Sequence, residues 1–255
     1  HQAAAGEGDI QMKRIIFAVL ALLPGLVLAS VGGFPLDKAE YDLSDKASLQ
    51  RGAATFMNYC AGCHSTQYQR YNRVAADIGI PDDLMKENLV FTGAKIGDLM
   101  KSAMSEKDAA RWFGAPPPDL TLVARVRGAD WIYTYLRSFY VDETRPFGVN
   151  NAVFPSVGMP HVLEPLQGTP RAEFETHTLD GVKMQQVVSI KSDGNGEMNN
   201  EEYDQTVLDL VNFLVYSAEP VQQERERMGF WVLGFIAIFF IFTVLLKKEF
   251  WRDVH

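Results

Sequence analysis

The sequence predicts an all-α fold for an exported domain tied to a membrane by one C-terminal helix. Three observations predict it: apolar residues at helical spacing on both flanks of the central region, Pro- and Gly-rich stretches between them without a convincing alternating strand, and two long apolar runs near the ends. The chain has 255 residues, 47% apolar and 22% charged, so it can bury a sizeable core and is neither disordered nor collagen-like. A net charge of −8 excludes a nucleic-acid partner, because phosphate neutralisation needs clustered Lys and Arg. The two cysteines, Cys60 and Cys63, fall inside one five-residue motif, which excludes a disulfide-stapled scaffold.

The elements follow in chain order. Residues 1–11 precede Met12 and form an unexplained extension. Met12-Lys13-Arg14, the apolar run Ile15 to Ala29 and its Val27-Leu28-Ala29 exit read as a secretory signal over 12–29, with Pro24-Gly25 arguing against a membrane helix. The exported domain is expected over 30–220. Leu49, Gly52, Ala53, Phe56 and Cys60 lie three or four residues apart, one helical face running into the cysteine motif, with Ser48 as its expected N-cap. Ala129 to Tyr140 forms a shorter helix with Trp131, Tyr135, Leu136 and Phe139 on one side. Val207, Leu210, Val211 and Leu214 repeat the period in a helix that stops at Glu219-Pro220, and Gly52 and Phe56 are the residues that let two such helices cross closely.

A linker over 221–227 leads to Met228 to Leu246, nineteen residues without a charge. At ~1.5 Å per residue that run spans a ~30 Å hydrocarbon core. Trp231 and Trp251 lie near its ends, where indoles favour the interface, and the three cations after the span, Lys247, Lys248 and Arg252, against two before it, Arg225 and Arg227, lean towards a cytoplasmic tail over 247–255. Residues 1–29 are neutral and 221–255 carry +1, so the exported domain holds −9 of the net charge of −8. Such acidity is either a solvated surface or a field that attracts a basic partner.

Cys60-Ala61-Gly62-Cys63-His64 is a C-x-x-C-H motif, the attachment signature of a c-type haem. Two thiols three positions apart on a helical turn can each add to one porphyrin vinyl group, and the adjacent His64 then supplies the proximal nitrogen to iron. A dithiol redox site wants a βαβ context, and a zinc site wants a second ligand pair; the sequence offers neither. Export adds weight, since haem is attached outside the cytoplasm.

The sixth ligand decides what such an iron does. Nitrogen donors are His161 and His177, and sulfur donors in the exported domain are Met57, Met85, Met100, Met104, Met159, Met184 and Met198. Met57 is three residues from Cys60 and cannot reach the opposite face of the ring. Met100 and Met104, i and i+4 on an amphipathic stretch, read as packing. Met159 sits in Phe154-Pro155-Ser156-Val157-Gly158-Met159-Pro160, a loop that Pro and Gly keep irregular and from which a side chain can be aimed at iron. His161 is its main rival.

Several segments together resemble the cytochrome c1 family, the membrane-anchored haem subunit of the quinol–cytochrome c reductase (cytochrome bc) complex. They are Cys60 to Ser65, Tyr68-x-x-Tyr71, Gly114-Ala115-Pro116-Pro117-Pro118-Asp119-Leu120, Ala124-Arg125-Val126-Arg127, Phe154 to Met159, and Ala218-Glu219-Pro220 ahead of Arg227-Met228-Gly229. The resemblance covers nearly all of residues 48–230. It implies that Met159 is the sixth ligand, that Pro117 and Pro118 pack on the His64 side of the ring, that Arg127 meets a haem propionate and that Phe154 covers the ring. Trp131 stands where the family often has Tyr near that propionate, and Arg125 is a second candidate for the arginine's role. Pro160-His161 after Met159 and a short 75–115 segment match the bacterial form.

The implied fold is a c-type cytochrome haem domain with long loop insertions, periplasmic and anchored in the bacterial inner membrane. The implied function is passage of single electrons from the Rieske iron–sulfur subunit to a cytochrome c, beside a cytochrome b subunit, by an electron carrier that is not an enzyme on its own. The alternatives are a membrane-tethered haem c carrier or a haem peroxidase outside a bc complex. A decoy lies at Asp193-Gly194-Asn195-Gly196-Glu197 with Glu202: it resembles an EF-hand loop, but Lys191 takes the leading carboxylate's place, and a turn capped by Asn199 or Asn200 explains the same residues.

Overall fold

In the computed structural model the described residues are 33–179 and 182–253. The expected extension and signal over 1–29 lie outside them, as do the side chains of 177–184, which include His177 and Met184.

Two helices build the core. Helix α1 (Lys46–Thr55) buries Ser48, Leu49, Gly52 and Ala53, and its last turn widens into a π-helical segment, Phe56–Cys60, that adds Phe56, Met57 and Cys60 to the same face. Helix α8 (Asn200–Ala218) crosses it with Tyr203, Val207, Leu210, Val211, Phe213 and Leu214, and the Phe56 and Phe213 rings lie 5.5 Å apart. The expected close crossing is present at Gly52, whose added Cβ would lie 2.6 Å from the Asp209 carbonyl carbon and 2.9 Å from the Phe213 Cβ. Ser48 is not the N-cap. Asp45 caps the helix by accepting from the Ser48 N–H at 3.0 Å, while the Ser48 hydroxyl is buried and donates to Asp209 at 2.7 Å. The helix therefore starts a turn earlier than the apolar pattern indicates.

Between these helices the chain runs through β1 (Thr66–Arg70), α2 (Tyr71–Ile78), α3 (Asp82–Leu89), β2 (Leu99–Met100), α4 (Glu106–Phe113), α5 (Val123–Arg127) and α6 (Ala129–Arg137). It continues through β3 (Phe139–Val141), β4 (Val149–Asn151), α7 (Glu164–Gln167), β5 (Arg171–Leu179) and β6 (Val182–Lys191). Helix α6 packs on α8 through Ile132 and Leu136, and Tyr203 donates to the Leu136 carbonyl at 2.8 Å. Arg137 binds Asp204 at 2.6 Å and Asp37 at 2.6 Å, which fastens the segment preceding α1 to the same face.

The all-α expectation needs correction. Strands pair antiparallel as β1–β2, β3–β4 and β5–β6, the last a hairpin of nine and ten residues with a register shift at Glu173/Phe174. Among its described side chains no face is buried throughout, Phe174 being 50% and Val188 40% exposed, so no alternation of apolar and polar residues marks it. Two shorter elements also differ: Phe139 begins β3 instead of ending a helix, and Met100 packs in the core as expected, from the short strand β2.

The stretch expected as a linker, 221–227, is helical from Gln222 on. It forms the first turns of α9 (Gln222–Phe250), 29 residues with a mean hydropathy of 2.6 in its most apolar window. At ~1.5 Å per residue it is long enough and apolar enough to cross a membrane. Phe230, Trp231, Phe239 and Phe242 project outward along it, exposed in the isolated chain, as lipid-facing side chains would be.

Candidate haem site

The π-helical widening sets up the cysteine turn. Ala61 N–H donates to the Phe56 carbonyl at 2.9 Å, five residues back, and Cys63 and His64 N–H groups both return to the Cys60 carbonyl, at 3.0 and 2.8 Å. Cys60 is buried and Cys63 half-buried, and both are free thiols. Burial, with the neighbouring Cys63 adding to it, pushes the Cys60 thiol up to about 12, and burial raises Cys63 as well.

His64 is oriented from the far side. Its Nδ1 lies 2.7 Å from the Pro118 carbonyl, and because a carbonyl can only accept, Nδ1 carries the proton and Nε2 is left bare. Burial depresses the imidazole's proton affinity, offset in part by Pro118 and by the charge of Asp119, so the neutral ligating form is favoured. The Pro117-Pro118 segment is itself pinned: Asp119 accepts from Gln67 N–H at 2.8 Å and Thr121 N–H at 2.9 Å, and Leu120 N–H donates to the Ser65 carbonyl at 2.8 Å. Ser102 closes the other side, its hydroxyl donating to the Gly62 carbonyl at 2.8 Å while its N–H reaches the Ser65 hydroxyl at 2.8 Å.

A second cluster gathers Arg127, Trp131 and Phe154. The guanidinium lies 4.9 Å from the Trp131 ring centroid and 5.7 Å from that of Phe154, and the two rings meet edge to face at 6.3 Å. Trp131 stacks on Tyr135 at 4.8 Å, and the Tyr135 hydroxyl reaches the Met159 sulfur at 3.4 Å. The Met159 loop hangs from Asn151, whose Oδ1 accepts from Val153 and Phe154 N–H groups at 2.9 and 3.0 Å and whose Nδ2 donates to the Tyr135 carbonyl at 2.8 Å. Ser156, with φ of 63°, is the only non-glycine residue in left-handed backbone among those described, and it turns the loop back.

The structure thus joins Pro118 to His64, and Arg127 to Trp131 and Phe154. Arg125 is paired instead with Glu219 at 2.9 Å. His161 is buried and stacked on Phe139 at 4.9 Å, and burial lowers its imidazole to about 4. Met57, Met85 and Met100 are core residues, and Met198 accepts from the Thr206 hydroxyl. Sequence reading missed Tyr135, Asn151 and Ser102 as parts of the site. Tyr135 had a signal, four residues from Trp131 on one helical face, whereas nothing local distinguished the other two. Among the described residues no group of three or more His, Cys, Asp or Glu side chains is placed to hold a metal ion, and in the EF-hand-like segment Asp193 accepts from Thr169 and Asn195 N–H groups, each at 3.0 Å.

Vicinal thiols at the end of a helix, an imidazole with its outer nitrogen tied to backbone and its inner one free, and a thioether on a braced loop suit a covalently held haem, and they define a single-haem c-type cytochrome. The profile of the Cytochrome C1 family matches residues 38–254. Cytochrome c1 of Allochromatium vinosum is 54% identical over 246 residues, which cover 96% of this chain and all of that one. A protein of Nitrosomonas europaea named ammonia monooxygenase gamma subunit is 46% identical over the same shares, and cytochrome c1 of Blastochloris viridis is 29% identical over 95% of this chain and 98% of its own. The chain belongs to the cytochrome c1 family. Members carry one covalently attached haem c and are electron-carrier subunits of the bc1 complex, not enzymes on their own.

Proposed function

We propose that this chain passes single electrons from the Rieske iron–sulfur protein to a cytochrome c within the respiratory quinol–cytochrome c reductase complex, beside the cytochrome b subunit. Cys60 and Cys63 are the attachment thiols, His64 and Met159 the axial ligands. Pro117 and Pro118 line the His64 side, Phe154 covers the ring, and Arg127, free of any carboxylate partner among the described residues, meets a propionate with Trp131 beside it. The bond from His64 Nδ1 to the Pro118 carbonyl carries this reading, because it fixes the tautomer whose Nε2 can bind iron. When bound, the haem supplies a one-electron ferric–ferrous couple, and a thioether ligand raises its potential.

The protein's own part is to hold and shield. The Phe56–Cys60 turn fixes the thiols, Asp119 and Ser102 lock the turn's two sides, and the Trp131–Phe154 pair holds Arg127 beside the proposed ring position. Helix α9 is the single inner-membrane span, with 30–220 in the periplasm, 247–255 in the cytoplasm and 12–29 as the export signal; the arginine and lysine residues after the span support that direction. The acidity of the exported domain favours a basic acceptor.

The test is the absorption spectrum of the purified, haem-loaded chain and of Met159→Leu, oxidised and reduced, with carbon monoxide added to the reduced forms. The expected result is a weak sulfur-to-iron band in the wild type that vanishes in the variant, with carbon monoxide bound only by the variant. A wild type that lacks the band and binds carbon monoxide rapidly has an open site and a catalytic role.

A further inference from the structure

Tyr135 is not a ligand, yet its hydroxyl ends on one. The phenol is a donor facing an acceptor-only thioether, so the 3.4 Å contact runs in one direction, from Tyr135 Oη–H to Met159 Sδ. No other hydrogen-bond partner for that hydroxyl occurs among the described residues. The ring is held from two directions: stacked on Trp131 at 4.8 Å and 9°, edge-on to Phe139 at 5.2 Å. Its backbone carbonyl accepts from Asn151 Nδ2 at 2.8 Å, and Asn151 in turn carries the N–H groups of Val153 and Phe154 at the root of the Met159 loop. One residue therefore touches the loop twice, through the backbone at its root and through the hydroxyl at its tip.

We infer that Tyr135 is a positioning residue that, by donating a hydrogen bond to the Met159 sulfur, raises the reduction potential of the haem. The inference rests on Met159 as the axial ligand, as proposed above. A hydrogen bond to sulfur draws electron density from it and weakens its donation to iron. Ferric iron, the more electron-poor state, loses more from that weakening than ferrous iron does, so the ferrous state gains relatively. The aromatic brace matters because a hydroxyl free to rotate to water would not hold this bond. Trp131 and Phe139 leave the ring no such freedom.

The test is Tyr135→Phe in the full haem-loaded chain, which keeps the ring and removes only the hydroxyl. The expected result is a retained but displaced sulfur-to-iron band and a lowered potential. The equilibrium constant for reduction against a fixed redox partner should fall roughly three- to tenfold, the scale of one net hydrogen bond; tenfold is 59 mV for one electron. An unmoved potential with an unmoved band overturns the proposal, and so does a lost band, which would make the hydroxyl a mere support. The wild type gives an independent reading in deuterated solvent, where the iron–sulfur stretching frequency should shift; an unshifted frequency overturns the proposal even if the variant does not fold. A wild type without the sulfur-to-iron band removes Met159 ligation itself, and the inference with it, whereas a normal wild-type band with an inert variant removes the inference alone.

Discussion

Gly52 and Asp209 are in backbone contact across the α1–α8 crossing: a Cβ at residue 52 would run into the Asp209 carbonyl group, 2.6 Å from its carbon. The obstacle is main chain, so no side-chain rotation relieves it, and the helices must part. Gly52→Ala should destabilise the protein by about 1–3 kcal/mol or more despite alanine's better helix propensity. Gly97 also lacks a left-handed φ and has open space where its Cβ would go, so Gly97→Ala should change stability by about 0.5 kcal/mol or less. Denaturant unfolding of the two variants checks the contrast.

The loop that carries Met159 is linked to a carboxylate. Asp142 accepts from Asn150 Nδ2 at 3.0 Å and from the Thr144 hydroxyl at 2.6 Å, and Asn150 Oδ1 accepts from Ser156 N–H at 2.8 Å. These bonds, chiefly Thr144 and then Asn150, lower the Asp142 pKa, with Arg145 adding to them; Tyr140 is the other titratable neighbour and stays neutral in the acid range. A carboxylate with a depressed folded pKa contributes stability that is present above its unfolded value of ~3.9 and is lost as pH falls through the folded value. Amide exchange in residues 150–158 should therefore accelerate below about pH 4 beyond its intrinsic pH dependence. Asp142→Asn should flatten that extra acceleration.

At the start of α8, Asn199 and Glu202 form a reciprocal cap: Asn199 Oδ1 accepts from Glu202 N–H at 2.9 Å and Asn199 N–H donates to Glu202 Oε2 at 3.1 Å. Asn199→Ala should cost about 1 kcal/mol. Calcium should leave the melting temperature of both forms unchanged, since Glu202 is used in the cap and Asp193 in the turn before it. A calcium-dependent rise would contradict that arrangement.

What the sequence disclosed divides along physical lines. The α1–α8 pair was legible because burial on one face of a helix imposes a period of three to four residues, and the proton-bearing turn at Cys60–His64 because its chemistry demands a fixed spacing. The β5–β6 hairpin was not, because a ribbon with no face buried throughout has no binary pattern. Its one local signal was Asp180-Gly181 between two runs rich in β-branched residues. Within the site, Trp131 and Phe154 could be named from resemblance, but Asn151 acts through backbone groups of residues on both sides of it, and such bonds leave no trace in composition or period. Arg125 and Arg127 sit two apart in one motif, and only their partners, Glu219 for one and aromatic rings for the other, tell them apart.

Glu219, the last residue before Pro220, stands between two arginines, binding Arg125 of α5 at 2.9 Å and Arg225 in the first turn of α9 at 2.5 Å. The carboxylate is mostly buried, its side chain 17% exposed, while the arginines are 58% and 60% exposed. Pairs of that exposure contribute little to global stability, ~0.2–1 kcal/mol each. Their effect is local: they fasten the start of α9 to the helix that carries Arg127. Glu219→Ala leaves two like charges facing each other with nothing between them, so the first turns of α9 should open more often than the domain unfolds. Limited trypsin digestion of the full chain in detergent should cut after Arg225 or Arg227 several-fold faster in the variant, with the melting temperature of the haem domain nearly unchanged. Equal cutting rates would show that backbone hydrogen bonding alone holds the junction, whereas a large fall in melting temperature would make Glu219 part of the domain's own stability.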